Sequence, residues 1–133
     1  SAGTGAWHVG KAPDARATEA ARQRGTTLTG AARQVTADDF DRFDLILAMD
    51  GSNLHELLQR APNAAAREKV RMLRELDPAS AGSIDLDVPD PYYGGPRGFD
   101  TVLDQVEAAC RGLLDEIAGS LRAAADRGGR PAA

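Results

Sequence analysis

The most regular hydrophobic pattern in the chain runs from Phe99 to Leu121. Apolar residues at Phe99, Val102, Leu103, Val106, Cys110, Leu113, Leu114, Ile117 and Leu121 follow a three-and-four spacing without a gap, which predicts one long amphipathic helix. Residues 45–49 read differently. Leu-Ile-Leu-Ala-Met is a continuous apolar run between Asp44 and Asp50, too short for a helix and suited to a strand buried on both faces. Ser52 can cap a following helix through Arg60, whose stripe is Leu54, Leu57 and Leu58. Strand then helix is half of a parallel crossover unit.

Earlier in the chain, Pro13-Asp14 opens an Ala-rich segment that ends before Gly25, and the Pro and Gly positions predict a helix from about Asp14 to Arg24. Thr36-Ala-Asp-Asp39 reads as a capped helical turn that points Phe40 and Phe43 inward. Val70, Leu73 and Leu76 have helical spacing, yet the segment is short enough for a strand, and both readings stand. Residues 77–98, rich in Pro, Gly and Asp, are too long for an ordinary connection; such loops carry function or are disordered. The first 122 residues read as one domain and residues 123–133 as a disordered tail.

Composition sharpens this picture. The length of 133 residues suits a single core. Leu, Ile, Val and Phe total only 25 residues, however, while Ala alone supplies another 25, so the apolar complement is thin for a globular domain. A net charge of -4 argues against disorder and, with no basic face, against nucleic acid as a partner. No apolar run approaches the roughly 18 residues of a membrane span and the start resembles no signal peptide, so a cytoplasmic protein is expected. The single cysteine, Cys110, excludes an intrachain disulfide and a C-x-x-C pair, and the two histidines are too far apart for a local metal motif.

Cys110 lies on the predicted stripe of the last helix, where a thiol packs as a small hydrophobe with a raised pKa. His55 reads as a surface histidine in the first turn of its helix, beside Glu56. His8, after Trp7 in a Gly-rich loop, is open between packing and lining a site. In Val88-Pro-Asp-Pro-Tyr-Tyr-Gly-Gly-Pro96 an Asp stands between two prolines and is followed by two of the chain's six aromatics. This is either a rigid turn or a site.

Taken together, S-A-G-T-G-A-W-H-V-G, A-R-Q-V-T-A-D-D-F-D-R-F-D-L-I-L-A-M-D-G-S-N-L and D-V-P-D-P-Y-Y-G-G-P-R-G-F-D followed by V-E-A-A-C-R-G-L-L resemble the low-molecular-weight protein-tyrosine-phosphatases, with a bacterial look. The resemblance covers Ser1 to about Ile117. It implies an α/β fold, an open four-stranded parallel sheet with helices on both faces, and makes Val70 to Leu73 a strand. It also implies hydrolysis of phosphotyrosine through a phosphocysteine, with no metal or organic cofactor, acting on a phosphotyrosine-containing protein or a small aryl phosphate. By this resemblance Asp90 is the general acid and later the base. Trp7, His8, Tyr92 and Tyr93 then line the substrate ring, while Ser1, Asp50 and Asn53 support the phosphate loop.

One departure is large. The family's nucleophile and phosphate-binding Arg lie in a C-x-x-x-x-x-R loop, and the sixth residue after Cys110 is Glu116, so the motif is absent from these 133 residues. In the family this loop, with a strand, a helix and most of a second strand, precedes the position of Ser1. The expectation is a truncated member, inactive alone, whose thin core reflects a missing central strand. A non-catalytic phosphotyrosine- or partner-binding module is the alternative. An arsenate reductase is disfavoured, because its chemistry relays through several cysteines.

Overall fold

The computed structural model describes residues 1–95 and 97–129, without the side chain of Tyr93. Asp14 starts the first helix, α1 (Ala15–Gln23), by accepting the Arg16 N–H at 2.8 Å. The second, α2 (Ala37–Arg42), has Thr36 at its N-cap, and the Asp39 carboxylate accepts the Thr36 N–H at 2.9 Å. Phe40 is almost fully buried, whereas Phe43 is 44% exposed against the inward orientation expected. Phe43 is the non-helical residue at the C-cap of α2, and its ring lies under the Arg42 guanidinium instead of in the core.

The apolar run forms β1 (Ile46–Ala48), followed by α3 (Gly51–Arg60). The cap of α3 is Asp50 rather than Ser52. Its side chain accepts the Asn53 N–H at 2.7 Å, because β1 ends early enough for the helix to begin at Gly51. A short helix that the hydrophobic pattern did not announce, α4 (Ala64–Glu68), is capped by Asn63, which accepts the Ala66 N–H at 2.8 Å. It leads into β2 (Val70–Met72), which pairs in parallel with β1 in the register Ile46 with Val70, Leu47 with Arg71, Ala48 with Met72. The open choice at 70–76 resolves as both readings in turn: three residues of strand, then a single 3₁₀ turn over Leu73–Leu76.

Alternation along β1 sends its side chains to two cores. Ile46 and Ala48 join Phe40, Leu57, Ala61, Ala66, Val70 and Met72 on the α3 side. Leu47 packs with Leu73, Leu76, Val88 and Ala109 on the other, where the last helix, α5 (Gly98–Gly128), lies. The architecture is therefore an open parallel sheet with helices on both faces. Among the described residues the sheet has two strands, not four, plus one isolated parallel bridge between Gly3 and Gln34. Ile46 and Leu47 are only half-buried, in contrast to the fully buried strand expected, because one edge of β1 faces a hollow.

Two further corrections concern α5. It continues through Ala123 to Gly128, into the segment expected to be a tail, and residues 130–133 lie outside the described ones. Its buried facet is also rotated from the predicted stripe: Phe99 and Ala109 are buried, Val102, Val106 and Leu113 partly so. Cys110 is exposed, as are Leu114, Ile117 and Leu121. The cause is Gly112, which lies so close to the 3₁₀ turn that an added Cβ would land on the Leu76 carbonyl. That approach aims the Ala109 side of the helix inward, and Cys110, about 100° further round, outward.

Candidate functional site

Residues 1–11 form a loop fastened at both ends to the segment 32–35. Gly3 donates to the Arg33 carbonyl and accepts from the Val35 N–H, both at 2.8 Å; Gly10 donates to the Ala32 carbonyl and Lys11 accepts from Ala32, also at 2.8 Å. The turn between carries Trp7 and His8 outward. The indole of Trp7 is 78% exposed and lies over Gly5, a position where any Cβ would collide with the ring. The exposed His8 has its Nδ1 3.4 Å from Lys11 Nζ. A hollow of about 370 Å³ is lined by Ser1, Trp7, His8, Arg33 and Asn53 among others. A second, of about 240 Å³, separates residues 1–4 from the open edge of β1.

Asp50 and Asn53 mark the C-terminal end of β1, the edge where open α/β sheets carry their ligands. Asn53 borders both hollows, while Asp50 acts as a cap. The Gly51 N–H at the start of α3 is met at 2.8 Å by the carboxylate of Asp87, from the loop that leads to Asp90.

That loop is anchored before it reaches Asp90. The Val88 N–H donates to the Met49 carbonyl at 2.7 Å, Val88 is buried, and the Arg74 guanidinium donates to the carbonyls of Asp85 and Asp87 at 3.3 and 2.8 Å. Asp90 then caps a 3₁₀ turn over Pro91–Tyr93, accepting the Tyr92 N–H at 3.0 Å, with Pro91 at the first position of the turn. Val-Pro-Asp-Pro-Tyr-Tyr is thus a rigid turn that presents an exposed carboxylate. Tyr92 is 57% exposed. The Tyr93 side chain lies outside the described residues.

Ser1, Trp7, His8 and Asn53 are brought to one hollow; Asp90 and Tyr92 are not among the residues that line it. Cys110, on the outer face of α5, lines neither hollow. Among the described residues no group of three or more His, Cys, Asp or Glu is placed to hold a metal ion. Sequence reasoning missed two arginines. Arg33 borders both hollows while its guanidinium pairs with Asp39, both contacts at 2.9 Å. Arg16 reaches from α1 to the Tyr92 carbonyl. The Asp39 pair spans only six residues and could have been suspected; the Arg16 contact spans 76 and has no local signal.

The family of low molecular weight phosphotyrosine protein phosphatases matches residues 1–123. The chain belongs to it. A low molecular weight protein-tyrosine-phosphatase from Streptomyces coelicolor is 49% identical over 117 residues, covering 88% of this chain and 71% of that relative. The low molecular weight phosphotyrosine protein phosphatase of Gallus gallus is 37% identical, covering 87% of this chain and 72% of its own length. A solved protein tyrosine phosphatase from Entamoeba histolytica, with Hepes in its active site, superposes with a TM-score of 0.81 at 36% identity, over 90% of this chain and 74% of that one. These phosphatases are hydrolases of one fold, and the two-sided open sheet described above is that fold. Among the described residues no helix is long and apolar enough to cross a membrane.

Proposed function

We propose that these residues belong to a cytoplasmic protein-tyrosine-phosphatase in which Asp90 serves as general acid and then as base. In the first transfer a cysteine thiolate forms the S–P bond as the P–O bond to the tyrosine breaks, and the Asp90 proton passes to the departing oxygen. A phenolate whose conjugate acid has a pKa of about 10 leaves poorly without that proton. In the second transfer Asp90 takes a proton from water as the water oxygen bonds to phosphorus and the S–P bond breaks. Trp7, His8, Tyr92 and Tyr93 flank the aromatic ring of the substrate, and Ser1, Asp50 and Asn53 support the phosphate loop. No metal or organic cofactor takes part, and a phosphotyrosine-containing protein or a small aryl phosphate is the substrate.

The observation that carries this reading is the presentation of Asp90. Its carboxylate stands exposed on a Pro-flanked turn whose base is tied to the C-terminal end of β1 through Val88 and Met49. Thiolate and phosphate-binding Arg come, on this reading, from a C-x-x-x-x-x-R loop that the 133 residues do not contain. The chain by itself is therefore expected not to turn over para-nitrophenyl phosphate. A version carrying that loop ahead of Ser1 should do so, and Asp90→Asn in it should slow phenyl phosphate hydrolysis by roughly 100-fold or more. An unchanged rate with this poor leaving group would sink the assignment. Saturable binding of a phosphotyrosine peptide by the unextended chain, with no turnover in either version, would favour the non-catalytic module.

A further inference from the structure

We propose that Arg16 is a positioning residue for the Asp90 turn, a clamp that holds Asp90 by holding Tyr92; the inference rests on the reading of Asp90 above. This one guanidinium joins the N-terminus of α1 to two residues at least 76 positions further along the chain, Tyr92 and Phe99. Nε and one terminal nitrogen pair with the Asp14 carboxylate at 3.2 and 3.0 Å. The other terminal nitrogen donates to the Tyr92 carbonyl at 3.4 Å, near the outer limit for such a bond. The guanidinium carbon Cζ lies 5.5 Å from the centroid of the Tyr92 ring and 4.9 Å from that of Phe99, the buried residue in the first turn of α5.

The chemistry suits arginine rather than lysine. A planar fork can pair edge-on with a carboxylate and still offer a face to an aromatic ring, whereas an ammonium is a point charge that cannot do both. The consequence for Asp90 follows from the bonding of Tyr92. Its N–H is held by the Asp90 carboxylate and its carbonyl by Arg16, so a displacement of Tyr92 carries the carboxylate with it. Just beyond, Gly94 and Gly95 supply no side chain to stiffen the turn. The far end of α1 is fixed as well: Arg24 sits among Asp104 at 2.8 Å, Glu107 at 3.3 Å and Asp100 at 3.5 Å, all on α5. Arg16 thus acts from a helix secured to the same element that supplies Phe99.

The test is ¹⁵N relaxation on the 133-residue chain. In the wild type the amides of Tyr92 and Gly94 should have order parameters near the rigid value of about 0.85; in Arg16→Gln they should fall toward about 0.6 while those of α1 and α5 stay fixed. Should α1 loosen in that variant, Arg16→Lys decides, because it can keep the charge pair with Asp14 but not the stack; there Tyr92 and Gly94 should still loosen. Unchanged amides at Tyr92 and Gly94 in Arg16→Gln, or in Arg16→Lys where that is the deciding variant, would overturn the clamp. In the version carrying the phosphate loop, Arg16→Gln should lower kcat for phenyl phosphate about tenfold, with less effect on para-nitrophenyl phosphate and little on KM, because loss of the acid hurts the poorer leaving group more. Equal losses on both substrates would reject a role through Asp90. If Asp90→Asn leaves phenyl phosphate hydrolysis untouched, the Asp90 reading fails, while the relaxation result still decides whether Arg16 holds the turn.

Discussion

Asp39 accepts both terminal N–H groups of Arg33, at 2.9 Å each, from a position where only 4% of the residue is exposed. The Arg33 guanidinium first, and then the Thr36 N–H, hold the carboxyl at a pKa of about 2 against an ordinary 3.8, outweighing the opposing effect of burial. A carboxyl whose pKa is lower in the folded than in the unfolded chain stabilises the fold above the unfolded value and loses that contribution as pH falls through the folded one. The window is therefore pH 4 down to 2. Because the Arg33 side chain is 44% exposed and partly screened, the contribution is on the order of 1 kcal/mol. Urea unfolding of wild type and Asp39→Asn at pH 6 and pH 3 should show the wild type losing more stability between the two by roughly half that amount, since pH 3 is the middle of the window. Equal losses would mean that the pair contributes nothing to the acid limb.

Two glycines of α5 should respond oppositely to alanine. At Gly112 the new methyl meets the Leu76 carbonyl and comes within 3.4 Å of Pro78, so overpacking of about 1–3 kcal/mol outweighs the gain in helix propensity. At Gly119 nothing stands within 4 Å, and Gly119→Ala should stabilise by up to about 1 kcal/mol. Thermal denaturation of both variants beside the wild type checks the pair. A Tm for Gly112→Ala at or above that of the wild type would refute the close approach.

Cys110 should react with a thiol-specific disulfide reagent in the native chain, stoichiometrically and without denaturant, since its residue is exposed on α5. Protection until urea is added would return it to the buried stripe that the spacing suggested.

Trp7, the single tryptophan, reports on the rim of the hollow of about 370 Å³. At 78% exposure its fluorescence should be quenched by acrylamide nearly as efficiently as that of free tryptophan. Strong shielding would mean that the loop 1–11 folds inward in solution.

Local chemistry was the legible part of the sequence. Asp14, Thr36 with Asp39, and the run at 45–49 each state their element within a few residues, and the structure has α1, α2 and β1 there. The cap of α3 was misjudged because Asp50 and Ser52 are both competent, and only the end of β1 chooses between them. For α5 the periodicity located the helix but not its facet, since an apolar stripe covers a wide arc and it is Gly112, an unremarked small residue, that decides which part meets a neighbour. Residues 77–98 carry no periodic signal at all; the path of residues 85–88 is set by Arg74 and by the backbone bond from the Val88 N–H to the Met49 carbonyl. At the candidate site, Trp7, His8 and Asn53 were drawn together by family resemblance; Arg33 offered only its short spacing to Asp39, and Arg16 left no mark because an arginine on a polar segment looks like solvated surface.

The Asp90 turn has two supports in different layers: Val88 hangs from the end of β1, and Tyr92 leans through Arg16 on Phe99 at the head of α5. A span resting on two piers inherits the relative motion of both. The seating of α5 is set at Gly112, about 20 Å along the helix from Phe99. A small tilt about that seat moves Phe99 far more than Val88, which packs beside Ala109 only three residues from the seat. Substitutions in the packing of the long helix should thus surface as errors in where a carboxylate is aimed, well before they cost the protein its fold.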